Sequence, residues 1–261
     1  INPKKTHQPK RYLRPMHLPL FFRTQLLSWA ATHVRPMPWK GERDPYKIWL
    51  SEIILQQTRV EQGLPYYEKF VAAYPTVIHL AAAPEDELFK LWEGLGYYAR
   101  ARNLHFTAKH IAGTLDGRFP DTYDDIRALK GVGDYTAAAI ASFAYDLPHA
   151  VLDGNVYRVL ARFFGIDTPT DTPAAKKEFT RLANELLDPE RPAAFNQAMM
   201  DFGATHCTPQ QPKCVTCPLQ SKCVAFQTGR VNELPLKSKS LVKKERFFCY
   251  AVFNAGADTS V

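Results

Sequence analysis

Two acidic residues stand in surroundings that push a carboxyl group in opposite directions. Glu52 lies within Ile48-Trp49-Leu50-Ser51-Glu52-Ile53-Ile54-Leu55, a stretch that is apolar on nearly every side. Burial there disfavours the charged form and raises the pKa, which is how a general acid is kept protonated at neutral pH. A Glu on the one wet face, or one hydrogen-bonded inside a core, fits the same stretch. Asp153 lies in Ala150-Val151-Leu152-Asp153-Gly154-Asn155-Val156, directly before a helical pattern over Val156–Phe164. A helix N-terminus offers backbone donors and the positive end of the dipole, so a lowered pKa and an ionised carboxylate are expected. A plain structural N-cap leaves the same trace. A neutral acid and an anion together are what cleavage of a glycosidic bond through an oxocarbenium-like state requires.

Four of the five cysteines fall within 17 residues, as Cys207-x6-Cys214-x2-Cys217-x5-Cys223, with Pro209, Pro212 and Pro218 shaping the loops. The odd count and tight clustering argue against a secreted disulfide framework and for a metal site in a reducing compartment. Four thiolates suit zinc and a [4Fe–4S] cluster alike. Paired Cys-x2-Cys knuckles would favour zinc, and only one pair is present. Cys249 stands apart and reads as an ordinary strand cysteine. Lys213, Lys222 and Arg230 fit either an extension of a phosphate-binding surface or a solvated basic loop.

A third constellation is Thr122-Tyr123-Asp124-Asp125, a capping-box pattern opening a short helix to Lys130, followed by Gly131-Val132-Gly133. Asp134 is expected to cap a second helix, whose small face (Ala137, Ala138, Ala141) permits close packing. Two glycines allow positive φ and leave N–H groups uncovered at a helix N-terminus, a site for a phosphate oxygen that reads no base sequence. A plain turn between two helices is the alternative.

These residues must be carried by helices. Apolar positions recur at helical spacing over Leu20–Thr32; Asp44-Pro45 opens a segment running from Ile48 to Val60 without Gly or Pro; Pro65–Ala73, Pro84–Trp92 and Ala99–Ile111 follow. Nothing before residue 240 alternates with period two for more than a few residues, so the fold class is mostly α. Residues 1–19 read as a loose basic arm and 228–246 as a basic linker. Phe247–Phe253 reads as one strand, which cannot fold alone.

Composition agrees. Lys plus Arg is 33 against 26 Asp plus Glu, a net charge of +7, and 46% of residues are hydrophobic. That excludes bulk disorder, collagen and coiled coil. No apolar run approaches the roughly 18 residues of a membrane span, and Ile1-Asn2-Pro3-Lys4-Lys5 lacks an apolar signal core. The start at Ile1 fits a chain cut from something longer. The basic balance favours a polyanionic partner.

The chain resembles the helix-hairpin-helix DNA glycosylases that carry an iron–sulfur cluster, and among them the adenine-specific, MutY-type family. The stretches that carry the resemblance run in order over about residues 20–235. They are Trp49–Thr58, Gly94–Leu104, Leu129–Gly133, Leu152–Val156, and Phe195–Asp201 leading into the cysteines. The cysteine spacing is also similar to that of endonuclease III relatives.

The resemblance implies a helix-hairpin-helix DNA glycosylase fold. Residues 1–44 would be an arm and helix belonging to a cluster domain, 45–146 a six-helix domain, 147–230 the cluster domain, and 231–261 a linker and the first strand of a Nudix-like domain. It implies a [4Fe–4S] cluster on Cys207, Cys214, Cys217 and Cys223, and a cleft that receives a flipped adenine. Glu52 would protonate adenine N7. Asp153 would stabilise the deoxyribose cation, and Asn155 would orient these groups and the water. Tyr135 occupies the place of the Schiff-base lysine of lyase relatives; a phenol forms no imine, so a monofunctional hydrolase is expected. Gln56, Gln57, Leu95 and Tyr97 fall where the family inserts side chains into the duplex. Lys130, Gly131, Val132 and Gly133 would bind the DNA backbone, and Arg35, Trp39 and Gln197 would line the adenine pocket.

The implied partner is double-stranded DNA with an adenine opposite 8-oxoguanine or guanine, bound by a monomer with no membrane contact. The implied setting is the bacterial cytoplasm, with the nucleoid, or a eukaryotic nucleus. Phe247–Phe253 would be only the first strand of the Nudix-like domain that recognises 8-oxoguanine in the family, so these 261 residues are expected to excise adenine with weaker preference for the oxidised base. Rival readings are a thymine–guanine or endonuclease III-like glycosylase, a non-catalytic DNA-binding module, and an electron carrier. Ser51-Glu52-Ile53-Ile54-Leu55-Gln56-Gln57-Thr58 and Tyr135 speak against the endonuclease III-like reading.

Overall fold

The structure is a computed structural model that describes residues 17–238. Among the described residues all regular structure is helical. The predicted strand Phe247–Phe253, Cys249 and most of the N-terminal arm lie outside them.

Two hydrophobic cores organise the helices. The first is built by α2 (Pro45–Leu55), α3 (Val60–Ala73), α4 (Val77–Ala82), α5 (Glu85–Trp92), α6 (Ala99–Thr114), α7 (Tyr123–Ala128) and α8 (Asp134–Tyr145) around Trp49, Phe70 and Trp92. The second joins α1 (His17–Thr32) to α9 (Gly154–Phe164), α10 (Pro173–Leu186) and α11 (Pro192–Thr205) around Phe22, Phe179 and Phe202. The first described helix thus packs with elements more than a hundred residues later. Arg23 fastens it by donating from Nε to Leu186 O (2.6 Å) and from Nη2 to Glu185 O (2.9 Å), carbonyls at the open end of α10.

Local signals explain most helix starts. Asp44 caps α2, accepting from Tyr46 N at 2.9 Å, with Pro45 in the first turn. Thr122 caps α7 by accepting from Asp125 N at 3.2 Å. Three expectations change. The helix foreseen over Ile48–Val60 breaks after Leu55, because Gln57 takes a left-handed backbone (φ 55) and α3 begins at Val60. Gly133, not Asp134, caps α8; the Asp134 carboxylate pairs instead with Arg127 (2.6 Å) and Lys176. The segment from 228, expected as a basic linker, straps onto the second core as far as it is described. Leu234 is buried, its carbonyl accepts from Arg162 Nε (3.0 Å), and Leu236 O accepts from Thr170 N (2.9 Å).

The cores meet where α8 touches both α2 and α11, along the small residues Ala137, Ala138, Ala139 and Ala141. Asn196 pins this seam. Its buried Nδ2 donates to Ser142 Oγ and to His149 O, both at 2.8 Å, and its Oδ1 accepts from Val151 N at 3.1 Å. One amide therefore ties α11 and α8 to the loop that delivers Asp153. Asn196→Ala would strand a buried backbone N–H and is expected to lower stability by roughly 3 kcal/mol, read as a fall in chemical-denaturation midpoint.

Candidate active site

Between the two cores lies a cleft of about 920 Å³. Glu52, Tyr135, Asp153 and Asn155 all line it, so three separate elements deliver the chemistry to one place.

Glu52 sits mid-helix on α2 among buried neighbours and is only 8% exposed. Burial pushes its pKa up to about 7; the Tyr135 hydroxyl opposes this by hydrogen bonding, and the nearby Asp153 charge reinforces it. Asp153 is the N-cap of α9: its Oδ1 accepts from Val156 N (2.7 Å) and its Oδ2 from Asn155 Nδ2 (2.6 Å). Its expected lowered pKa is not what the structure gives. Burial outweighs the donors and the Arg158 charge, and the net shift is upward. The asymmetry between the two acids survives in their partners: several donors and a cation face Asp153, and one phenol opposes the burial of Glu52. Tyr135, in the first turn of α8, is half-buried beside both acids; desolvation first, and then the charges of Glu52 and Asp153, push its hydroxyl pKa well above the ordinary range.

Arg158 was not anticipated. It follows Asn155 by three residues and so shares its helix face. Its Nη2 donates to Asn155 Oδ1 (2.8 Å) and Gly203 O (2.6 Å), and its Nε donates to Cys207 O (2.8 Å). A hydrogen-bonded chain thus runs from Asp153 through Asn155 and Arg158 to the first cysteine. The available signal was a cation inside the apolar period of α9.

Arg35 and Trp39, on the segment between α1 and α2, and Gln197, on α11, also line the cleft. Trp39 packs edge-on against Tyr67 (centroids 5.2 Å apart). A second unforeseen contact, Lys40 to Asp201 at 2.6 Å, ties this segment to α11. Gln56 and Gln57 line the same cleft, with Gln56 Nε2 donating to Thr136 Oγ1 at 3.4 Å. Tyr97 is 64% exposed on a left-handed backbone (φ 47). Two of the residues expected at the DNA are buried. Leu95 is only 5% exposed and packs into the first core rather than projecting, and Val132 is 3% exposed with its N–H given to Leu129 O and its carbonyl accepting from Arg127. The hairpin's outward surface is instead Lys130, Gly131 and Gly133. Gly131 has φ 82 and lies so close to Asn103 that an added Cβ would stand 2.8 Å from its Cβ, which fixes glycine there.

The four cysteines flank the second core. Cys207 follows α11, Cys214 opens a 3₁₀ turn (Cys214–Thr216), Cys217 ends it, and Cys223 precedes α12 (Val224–Gln227). Burial and neighbouring sulfurs push the Cys214, Cys217 and Cys223 thiols up, Cys217 to about 12. Arg162 Nη1 donates to Cys207 Sγ at 3.5 Å. Among the described residues no three His, Cys, Asp or Glu side chains are gathered into a group able to hold a metal ion. The donor chemistry still fits a thiolate-bound group: four soft ligands, mutually coupled, beside a guanidinium that offsets their charge.

The fold and site together define a class. The sequence profile described as HhH-GPD superfamily base excision DNA repair protein matches residues 50–187, and the chain belongs to that superfamily. Within it the chain is 42% identical over 226 residues to the mouse adenine DNA glycosylase, covering 82% of this chain and 44% of that protein. It is 37% identical over 232 residues to the adenine DNA glycosylase of Buchnera aphidicola from Baizongia pistaciae, covering 88% and 66%. The chain therefore spans less than two thirds of either relative's length. The solved structure of a thermostable thymine-DNA glycosylase superimposes with a TM-score of 0.75 at 31% identity, over 80% of this chain and 97% of that one.

The Glu52 shift has a stability consequence. A folded pKa near 7 against an ordinary 4.5 means the stability tied to this group is full below about pH 4.5 and lost as pH rises through 7. Glu52→Gln removes the charge that burial penalises. It is expected to melt above the parent protein at about pH 8, by an amount up to ~3 kcal/mol, with the gap closing towards about pH 4.5; a gap independent of pH would contradict the assignment.

Proposed function

We propose that the protein is a monofunctional DNA glycosylase that hydrolyses the N-glycosidic bond of adenine mispaired with 8-oxoguanine or guanine. The observation that carries this reading is the convergence of Glu52, Asp153 and Tyr135 in one cleft. The identity with adenine DNA glycosylases supports the choice of base.

In this reading double-stranded DNA lies across the cleft mouth. Backbone N–H groups beside Gly131 and Gly133 hold a phosphate, and the mispaired adenine swings out of the stack into the cleft. Gln197, Arg35 and Trp39 frame the base. Glu52, held protonated by burial, gives its proton to adenine N7 and makes the base a better leaving group. Bond breaking leaves positive charge on the deoxyribose, which the Asp153 carboxylate stabilises from its hydrogen-bonded seat. Asn155 keeps that carboxylate in place, and water completes the hydrolysis. Tyr135 tunes Glu52 and forms no covalent bond to sugar, so strand cleavage does not follow.

The four cysteines would hold a [4Fe–4S] cluster, whose iron–thiolate bonds would tie the 207–223 loops together rather than act on the base. The protein would work as a monomer, with one half over 45–146, in which seven helices (α2–α8) stand where six were expected, and the cluster half over 147–230 plus the first helix. The thymine-DNA glycosylase likeness sustains one rival, a glycosylase that releases thymine.

Duplexes carrying each mispair decide between them: free adenine is expected, and release of thymine alone would overturn the reading. Glu52→Gln and Asp153→Asn are each expected to slow single-turnover release by at least ~100-fold while duplex binding persists. In the parent protein release should decline as pH rises through about 7. Tyr135→Phe removes the donor that holds the Glu52 carboxylate down, so the decline should move to higher pH. For the cysteines, a brown protein whose broad visible absorption disappears in Cys217→Ser is expected, whereas a colourless protein containing zinc would refute the cluster.

A further inference from the structure

Arg100, the second residue of α6, makes an unusual set of contacts for a cation. Its Nη1 donates to Ile53 O (3.0 Å), Ile54 O (2.8 Å) and Gln56 O (2.6 Å), carbonyls left open where α2 ends. Its Nη2 donates to Leu95 O (3.2 Å) and Gly96 O (3.4 Å) on the Gly94–Gly96 turn. The guanidinium also lies against the rings of Trp92 (5.1 Å) and Tyr97 (5.6 Å). One planar fork therefore grips two turns that are about forty residues apart in sequence.

Each gripped turn ends in the same feature. Gln57 follows the held carbonyl of Gln56, and Tyr97 follows the held carbonyl of Gly96. Both are non-glycine residues with left-handed backbones (φ 55 and 47), and both side chains are exposed. Left-handed non-glycine residues persist where surrounding structure over-determines them. Here the over-determining group is the same for both.

We infer that Arg100 is a positioning residue that couples the Gln57 and Tyr97 turns, so that the two side chains engage a DNA duplex as one unit when a base is extruded. This rests on the glycosylase reading for its substrate. Lysine cannot reproduce it, because a point charge lacks the two-sided fork.

A double-mutant cycle tests the coupling. Gln57→Ala, Tyr97→Ala and their combination are compared for single-turnover adenine release and for fluorescence of a 2-aminopurine placed beside the mispaired adenine, which reports unstacking. With Arg100 present, each substitution should lower release about tenfold, and the pair should lose little more than the worse single change. In the Arg100→Lys background, and in Arg100→Gln, release should start lower and the two losses should multiply. Losses that multiply with Arg100 present overturn the inference, whatever the Arg100 variants do to folding. Equal non-additivity in both backgrounds also overturns it, and points to a merely structural arginine. If the unsubstituted protein releases no adenine, the glycosylase reading falls, and the 2-aminopurine cycle still judges the coupling.

Discussion

Taking a carboxyl group out of water is the constraint on which this structure turns. An isolated buried carboxylate is strongly disfavoured, so the group either takes up a proton or gathers donors around itself. Glu52 shows the first outcome, with its pKa near 7. Asp153 leans on the second, through the Val156 N–H, the Asn155 amide and the Arg158 charge, though burial still leaves its net shift upward. Two cores facing each other make this possible, because neither half alone encloses both acids. The seam along α8, pinned by Asn196, sets the distance at which they meet.

Buried and half-buried arginines recur as the means of holding irregular backbone. Arg100, Arg158 and Arg162 direct most of their donors to main-chain carbonyls at helix ends and loops. Loops that carry function run out of regular partners, and unsatisfied carbonyls in a dry interior are expensive. A guanidinium with five donors satisfies several at once and fixes their relative placement. Around this site the stretches so held are the end of α2, the Leu95–Gly96 turn, the Cys207 loop and the strap over the second core.

Much of this was legible in the sequence. Asp44-Pro45 and the Thr122 capping pattern announced helix starts through local chemistry, and Glu52 among Ile, Leu and Trp announced its own burial. The family resemblance supplied the companions of Glu52 and Asp153 in the cleft, which periodicity cannot give. What escaped depends on tertiary partners. The break at Gln56–Gln57 carries no Gly or Pro, since a distant arginine rather than a local breaker holds it. Leu95 and Val132 are drawn inward by the first core, an outcome that a short motif does not encode. The direction of the Asp153 shift needed a balance between depth of burial and donor number, and sequence gave only the donors. Lys40–Asp201 and the strap through Leu234 and Leu236 are contacts between segments far apart along the chain.

The way α1 completes the second core has a consequence for how the molecule assembles. The helices of the first core arise from one continuous stretch, α2 to α8, and close on one another, α2 packing on α8, so that half can condense once α8 has been made. Phe22, Leu26 and Trp29 must wait, since their partners on α9 and α11 leave the ribosome more than a hundred residues later. This helix is thus made well before the partners on which it docks, and throughout that interval its apolar side chains are open to stray association.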